Sequence, residues 1–315
     1  MRDQVLLRIQ EVLQEQGVQK VSQLIVGSHR LKYNSTCFFH VVPNSNGCVA
    51  YVDGGLAELI AAPHFSVFLI RAYLGVYEEG KHISRLQKEG FAFIRIVRRE
   101  EKFFFVTELL GLDIVIPEIA LDDPLLRVGE RVSPQTVASV VRHCLEWSLI
   151  DECQNVTCVV RDGALDKCLE DTFRRKKNTL VMQIGVCKTT NALTDTSVSV
   201  PFFLSQQKKG AWVYVPEEQG VVKVGFVRLH ARSDRVYRID VVNGTLKDAA
   251  AILASHSSDA SFVGYPYGLI DADCMAAVKE GEKKMLRQLF FAKCGLLLKN
   301  LEQATDAHDV LNTLH

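Results

Sequence analysis

The chain has 315 residues, 37 basic against 37 acidic side chains, and 48% hydrophobic content. That is enough for a large packed core. It excludes a chain that holds nucleic acid by overall positive charge, so any such contact must rest on a local patch. No run of eighteen apolar residues occurs, which excludes a membrane-spanning helix. The nine cysteines are odd in number and form no CxxC pair, which argues against a zinc site or a disulfide frame. They suit buried thiols in a reducing, cytoplasmic setting.

Taken in chain order, "MRDQVLLRIQEVLQEQG" predicts an amphipathic helix over 2–17, structural rather than a signal peptide. "CVAYVD" predicts a strand over 48–53 that ends in an Asp53-Gly54-Gly55 turn. Residues 65–80 and 91–111 are rich in β-branched and aromatic side chains and predict long strands, with a hairpin tip at 98–102. Ser133-Pro134 reads as an N-cap followed by proline at the first helical position, opening a helix that runs to Glu152. A strand (156–163), a helix (164–178) and a strand (179–188) follow. Residues 189–220 read as a long loop carrying the exposed strand "AWVYV". Strands over 221–230 and 235–242, a helix over 245–256, a short strand "SFVGY", and helices over 269–281 and 283–303 complete the chain. Meandering strands followed by alternating helices and strands imply an α/β mixed sheet flanked by helices.

Three aspartates stand at the ends or edges of apolar strands: Asp53, Asp162 and Asp240. A carboxylate beside buried strands is costly unless it is paired or binds a cation. Each, taken alone, is better explained as a turn or cap. Asp53 and Asp162, however, both close hydrophobic strands and lead on through glycine. If those strands are neighbours, the two charges repel and a divalent cation answers them. Oxygen-only ligands select magnesium or manganese. Glu146, on the intervening helix, is a candidate third acid; its alternative is an i,i+4 pair with Arg142 on a solvated face. Asp271 and Asp273 fall in the first turn of the helix from 269, where the helix dipole alone would favour them. Being two residues apart, only one of them can face a given site.

The ordered set "VDGG" (52–55), "RDGAL" (161–165), "VCK" (186–188), "YRIDV" (237–241) and "GYPYGLIDAD" (264–273) resembles the NurA nuclease family. The resemblance covers residues 48–278. It implies one NurA-like domain over 1–315 with a ribonuclease-H-like core, related to the Piwi domain of Argonaute, plus the helices at 2–17 and 269–303. It implies manganese-dependent DNA cleavage, as single-strand endonuclease and 5′-to-3′ exonuclease. It also implies a homodimer bound to a HerA-type hexameric ATPase-translocase in DNA end resection and double-strand break repair. Carried over by position, Asp53, Glu146, Asp162 and Asp273 are the metal ligands of a site for two Mn2+ or Mg2+ ions, and Lys188, Tyr265 and Asp240 are further site residues. Asp273 stands where the family usually has histidine. Either it is the alternative fourth ligand, or this copy is a catalytically impaired scaffold that binds a translocase or DNA ends.

In such a site one ion activates water and the other stabilises the leaving oxygen. Lys188 contacts the scissile phosphate or orders the acids, unless it is an ordinary surface lysine. Tyr265 binds a phosphate, stacks a base, or packs its turn. Arg174, Arg175, Lys176 and Lys177 line a DNA path or complement a helix dipole. Arg228, Arg232, Arg235 and Arg238 form a second basic stretch. The apolar excess of 286–301 covers a second subunit or enters the core. An actin-like kinase also opens with an acid-glycine loop, but its second domain and Gly-Gly adenosine motif are not visible.

Overall fold

The computed structural model describes residues 2–16, 20–27, 29–62, 64–174, 181–217 and 220–295. Helix α1 (Arg2–Gln16) leads to three short strands that the sequence pattern had left unassigned, β1 (Gln23–Val26), β2 (His29–Lys32) and β3 (Phe38–His40). Long strands follow where β-branched and aromatic side chains dominate: β4 (Cys48–Ala62), β5 (Phe65–Glu78), β6 (Lys81–Arg99) and β7 (Lys102–Leu110). They form an antiparallel meander. Its β5–β6 turn has positive φ at both Glu79 and Gly80, as two-residue hairpins favour. The tip expected at 98–102 is present, with Arg99 pairing Lys102.

Strand β4 departs from expectation. It does not turn at Asp53-Gly54-Gly55 but continues to Ala62, paired with β5 throughout. The local turn preference of Asp-Gly yields to the ladder with β5, which pairs Asp53, Gly54 and Gly55 with Tyr73, Ala72 and Arg71. The glycines serve another purpose. Residues 49, 51 and 53 face one side of the sheet and 50, 52 and 54 the other. A Cβ on Gly54 would meet Glu146 Oε1 at 2.5 Å, and one on Gly55 would meet the Ala276 carbonyl at 2.1 Å. The pair admits a helix closely on each face.

After β8 (Ile119–Ala120), α2 (Pro134–Glu152) starts as expected: the Ser133 side chain accepts from the Thr136 N–H. Then come β9 (Cys158–Asp162), α3 (Lys167–Phe173), β10 (Met182–Cys187), β11 (Leu193–Thr194), α4 (Val200–Gln207), β12 (Trp212–Tyr214), β13 (Lys223–Arg228), β14 (Tyr237–Val242), α5 (Leu246–Ser255), α6 (Tyr267–Ala276) and α7 (Glu280–Cys294). "AWVYV" is not exposed: Trp212, Val213 and Tyr214 are buried, because β12 lies between β3 and β13. "SFVGY" forms turns, not a strand.

The main sheet has eleven strands in the order β3-β12-β13-β14-β10-β9-β4-β5-β6-β7-β8, and β11-β1-β2 form a second sheet. Strand β9 runs parallel to both β4 and β10, as the acidic pair required. Helix α2 packs Val137, Val141, Leu145 and Leu149 over Ala50, Val52, Phe68 and Ile70. On the opposite face α5 and α6 cover Tyr51, Tyr73, Val160, Ile184 and Ile239. The architecture is a ribonuclease-H-like mixed sheet flanked by helices. No residue of α7 is buried, though Phe290 meets Phe91 edge-on; Leu296, Leu297 and Leu298 lie outside the described residues. Among the described residues no helix is long and apolar enough to cross a membrane.

Close packing of α6 on β4 gives a stability test. A Cβ at Gly268 would lie 2.1 Å from Cδ2 of the fully buried Tyr51. Gly268→Ala is expected to destabilise the fold by about 1–3 kcal/mol in urea denaturation. Gly281→Ala, on a helix with no atom within 4 Å of the added carbon, is expected to be neutral or stabilising by up to ~1 kcal/mol.

Candidate metal centre

The parallel register of β4 and β9 ends at Val52 and Arg161, so Asp53 and Asp162 come next, side by side. Helix α6 packs on one face of β4 and β9 and brings Asp273. One carboxylate oxygen from each of Asp53, Asp162 and Asp273 lies within 4.8 Å of the others. Helix α6 starts at Tyr267, earlier than expected, so these acids sit in its second turn. Asp271 turns away, accepting hydrogen bonds from Tyr73 Oη (3.0 Å) and Tyr77 Oη (2.8 Å). That contact decides which of the two acids reaches the centre.

Three carboxylates this close need positive charge. Lys188 Nζ lies 2.9 Å from Asp162 Oδ2 and 3.4 Å from Asp273 Oδ1. Its ammonium also stands 5.8 Å from the Tyr265 ring centroid. The donor set is all oxygen, which suits a hard divalent ion. Oxygens around such an ion at about 2.1 Å lie roughly 3–4 Å apart, so a small side-chain rotation closes the cluster. The residues therefore fit magnesium or manganese.

Burial, then the nearby Glu146 and Asp162 charges, push the Asp53 carboxyl up from 3.8 to about 7, against the opposing Gly54 N–H (2.7 Å) and Arg142. Tyr265 is shifted far upward, first by burial and then by Asp162, and its hydroxyl is buried without a hydrogen-bond partner.

Glu146 is not part of this close group, although its charge acts on Asp53. It is only 2% exposed. Its Oε1 accepts from Arg142 Nη1 at 2.6 Å and its Oε2 from Arg161 Nη2 at 2.8 Å. Burial alone would raise its pKa; the two arginines outweigh that and hold it below the usual carboxylate value. The i,i+4 pair with Arg142 exists, with Glu146 buried and Arg142 half-buried rather than on a solvated face.

Asp240 lies one strand further off, beyond β10. It is fully buried, takes both Nε and Nη2 of Arg238 at 2.8 Å, and accepts from the Leu165 N–H at 3.1 Å. It ties down the loop that follows Asp162. Arg174 is not on a DNA path: it is buried and ion-paired to Glu170 and Asp151. Arg175, Lys176 and Lys177 lie outside the described residues. In the second basic stretch Arg228 turns inward to the Ser233 carbonyl and Asp234, and Arg235 lies over the Phe262 ring.

The three-aspartate centre opens into a groove of about 750 Å³ whose lining includes Asp53, Arg142, Asp162, Lys188, Thr190 and Arg238. Sequence reasoning cast Arg142 only as a surface partner of Glu146, and it missed Thr190. Arg142 had a usable signal, its i,i+4 spacing to an acid on a largely apolar helix.

No protein-family model matches the chain, and no curated protein matches it by sequence. Among solved structures it is similar to the NurA nuclease from Sulfolobus solfataricus, with a TM-score of 0.50 at 12% identity over 81% of this chain and 86% of that one. This chain has the fold of that nuclease. Weaker likenesses are to the catalytic domain of human Endonuclease V (TM-score 0.40, 13% identity, 82% of this chain and 92% of that one) and to A. aeolicus Argonaute (TM-score 0.36, 10% identity, 75% and 29%).

The raised Asp53 carboxyl gives a pH test. Its folded pKa (about 7) exceeds its ordinary value of 3.8. Its contribution to stability is therefore fully present below about pH 4 and is lost as pH rises through about 7. In EDTA, the melting temperature of the wild type is expected to fall across that window more than that of Asp53→Asn. Equal pH dependence in the two proteins would contradict the assignment.

Proposed function

We propose that this chain is a divalent-metal-dependent DNA nuclease. The observation that carries this reading is the convergence of Asp53, Asp162 and Asp273, from two parallel strands and a helix, beside a groove that Asp53, Asp162 and three cations line. The fold shared with a NurA nuclease supports it. Asp53, Asp162 and Asp273 would hold manganese or magnesium. Such an ion supplies Lewis-acid stabilisation of the charge that builds on the phosphate oxygens during hydrolysis. Lys188 and Arg238 offer cations for the flanking phosphates. Asp240, through Leu165, keeps the Asp162 loop in place, and the Tyr265 ring backs the Lys188 ammonium.

The finer reading follows the NurA resemblance: single-strand endonuclease and 5′-to-3′ exonuclease activity, a homodimer, and a HerA-type ATPase that feeds DNA to a chain of zero net charge. The rival is a non-catalytic scaffold. The Lys188 bridge between Asp162 and Asp273 favours it, because a permanent lysine there would replace the metal.

End-labelled single-stranded and duplex DNA, incubated with Mn2+, Mg2+ or EDTA, separates the two. The nuclease reading expects metal-dependent cleavage that falls more than about 100-fold in each of Asp53→Ala, Asp162→Ala and Asp273→Ala. Variants that cut as well as wild type would overturn it. No cleavage by wild type at any metal concentration would favour the scaffold.

A further inference from the structure

Both carboxylate oxygens of Glu146 are engaged, and the residue is not among those that line the groove. Each of its two carboxylate oxygens accepts a charge-assisted hydrogen bond from a different arginine. Arg161 is itself only 6% exposed, its Nε already lacks a partner, and its guanidinium lies 5.6 Å from the Trp147 ring centroid. Turning Glu146 toward an ion would strand that buried charge, which is strongly destabilising. The Arg161–Glu146 pair is a fixed base within the core.

Arg142 is placed differently. Its side chain is 24% exposed and lines the groove, and Nη1 lies 3.9 Å from Asp53 Oδ1. Nη1 also donates to the Gly54 carbonyl at 3.2 Å, and Nη2 to His143 Nε2 at 3.0 Å. His143 can accept that bond because burial holds it neutral, its pKa lowered to about 4. Gly54 admits the arrangement: a Cβ there would meet Glu146 Oε1 at 2.5 Å and Arg142 Cγ at 2.7 Å. Three acceptors, from two helix residues and one strand, thus hold one guanidinium beside the acidic centre.

Charge balance follows. With Glu146 committed to two arginines, three aspartates remain for metal, and Lys188 already offsets one of them. That leaves charge for a single divalent ion. A second ion would have to enter beside Arg142 against repulsion.

On the nuclease reading above, we propose that Arg142 is a catalytic residue: its guanidinium contacts the scissile phosphate and replaces a second metal ion, and Glu146 is its positioning residue, not a ligand. Water attacks phosphorus and releases its proton to solvent, the bond to the leaving oxygen breaks, and that oxygen takes a proton from solvent. The negative charge that builds on the phosphate oxygens is met by one ion from the aspartate side and by the Arg142 fork from the other.

Mn2+ titration of the full chain, by calorimetry and electron paramagnetic resonance, with and without single-stranded DNA, tests this apart from activity. The expected result is one equivalent per chain. Glu146→Gln is expected to bind Mn2+ within about twofold of wild type while kcat falls at little change in KM. Arg142→Ala is expected to keep its one Mn2+ and lose about 100-fold or more in kcat, with partial recovery in Arg142→Lys or on adding guanidinium.

Two equivalents of Mn2+, or a tenfold loss of Mn2+ affinity in Glu146→Gln, would overturn the proposal. So would an Arg142→Ala variant that cuts like wild type. If Arg142→Ala does not fold, the wild-type stoichiometry and Glu146→Gln still decide. Should Asp53→Ala be inactive while Arg142→Ala is fully active, the nuclease reading stands and this proposal falls. A wild type that neither binds Mn2+ nor cuts DNA rejects the nuclease reading itself.

Discussion

Two carboxylates on adjacent parallel strands repel each other, and the structure around Asp53 and Asp162 is organised by what answers that repulsion. Strands β4 and β9 share a register that sets the pair side by side. Helix α6 adds a third acid, Asp273, while Lys188, one residue beyond β10, reaches back between Asp162 and Asp273. The cost of bringing charge together is visible in the upward shift of Asp53, which burial and its acidic neighbours produce. A cluster of this kind is unfavourable in isolation. It becomes a binding site when an oxygen-seeking divalent ion is available.

The two faces of β4 divide the labour. On the α6 face Gly55 clears a path for the helix backbone, and Asp53 looks toward Asp273. On the α2 face Gly54 makes room for the half-buried Arg142 and the buried Glu146, with Arg161 fixing the other oxygen. Consecutive glycines that read as a turn are thus the means by which a straight strand carries helices tightly on both sides. Asp240, buried with Arg238, does the corresponding work for the loop after Asp162.

Local chemistry made part of this legible. Asp53 and Asp162 stand out because an apolar strand rarely carries a carboxylate without cause. Their adjacency stayed conditional in the residues themselves and was implied by the ribonuclease-H-like resemblance. The N-cap of α2 and the hairpin tip at 98–102 are short-range signals, and both are present. What could not be read depends on residues far apart in the chain. Asp271 and Asp273 are equivalent by sequence position; Tyr73 and Tyr77, some two hundred residues earlier, take Asp271 out of the centre. The commitment of Glu146 needs Arg161, which is on another element. Arg174 looked like an exposed cation because its partner Asp151 lies on α2. Short strands such as β12 carry too few residues for periodicity to reveal their burial.

The central claim is a three-aspartate metal centre between β4, β9 and α6. Anomalous diffraction at the manganese edge, on crystals grown with Mn2+, tests it most directly. The account predicts one peak, ligated by Asp53, Asp162 and Asp273, with Lys188 retained beside the cluster but no longer bridging Asp162 and Asp273. A peak ligated by Glu146, or no peak with Lys188 still bridging Asp162 and Asp273, would contradict it.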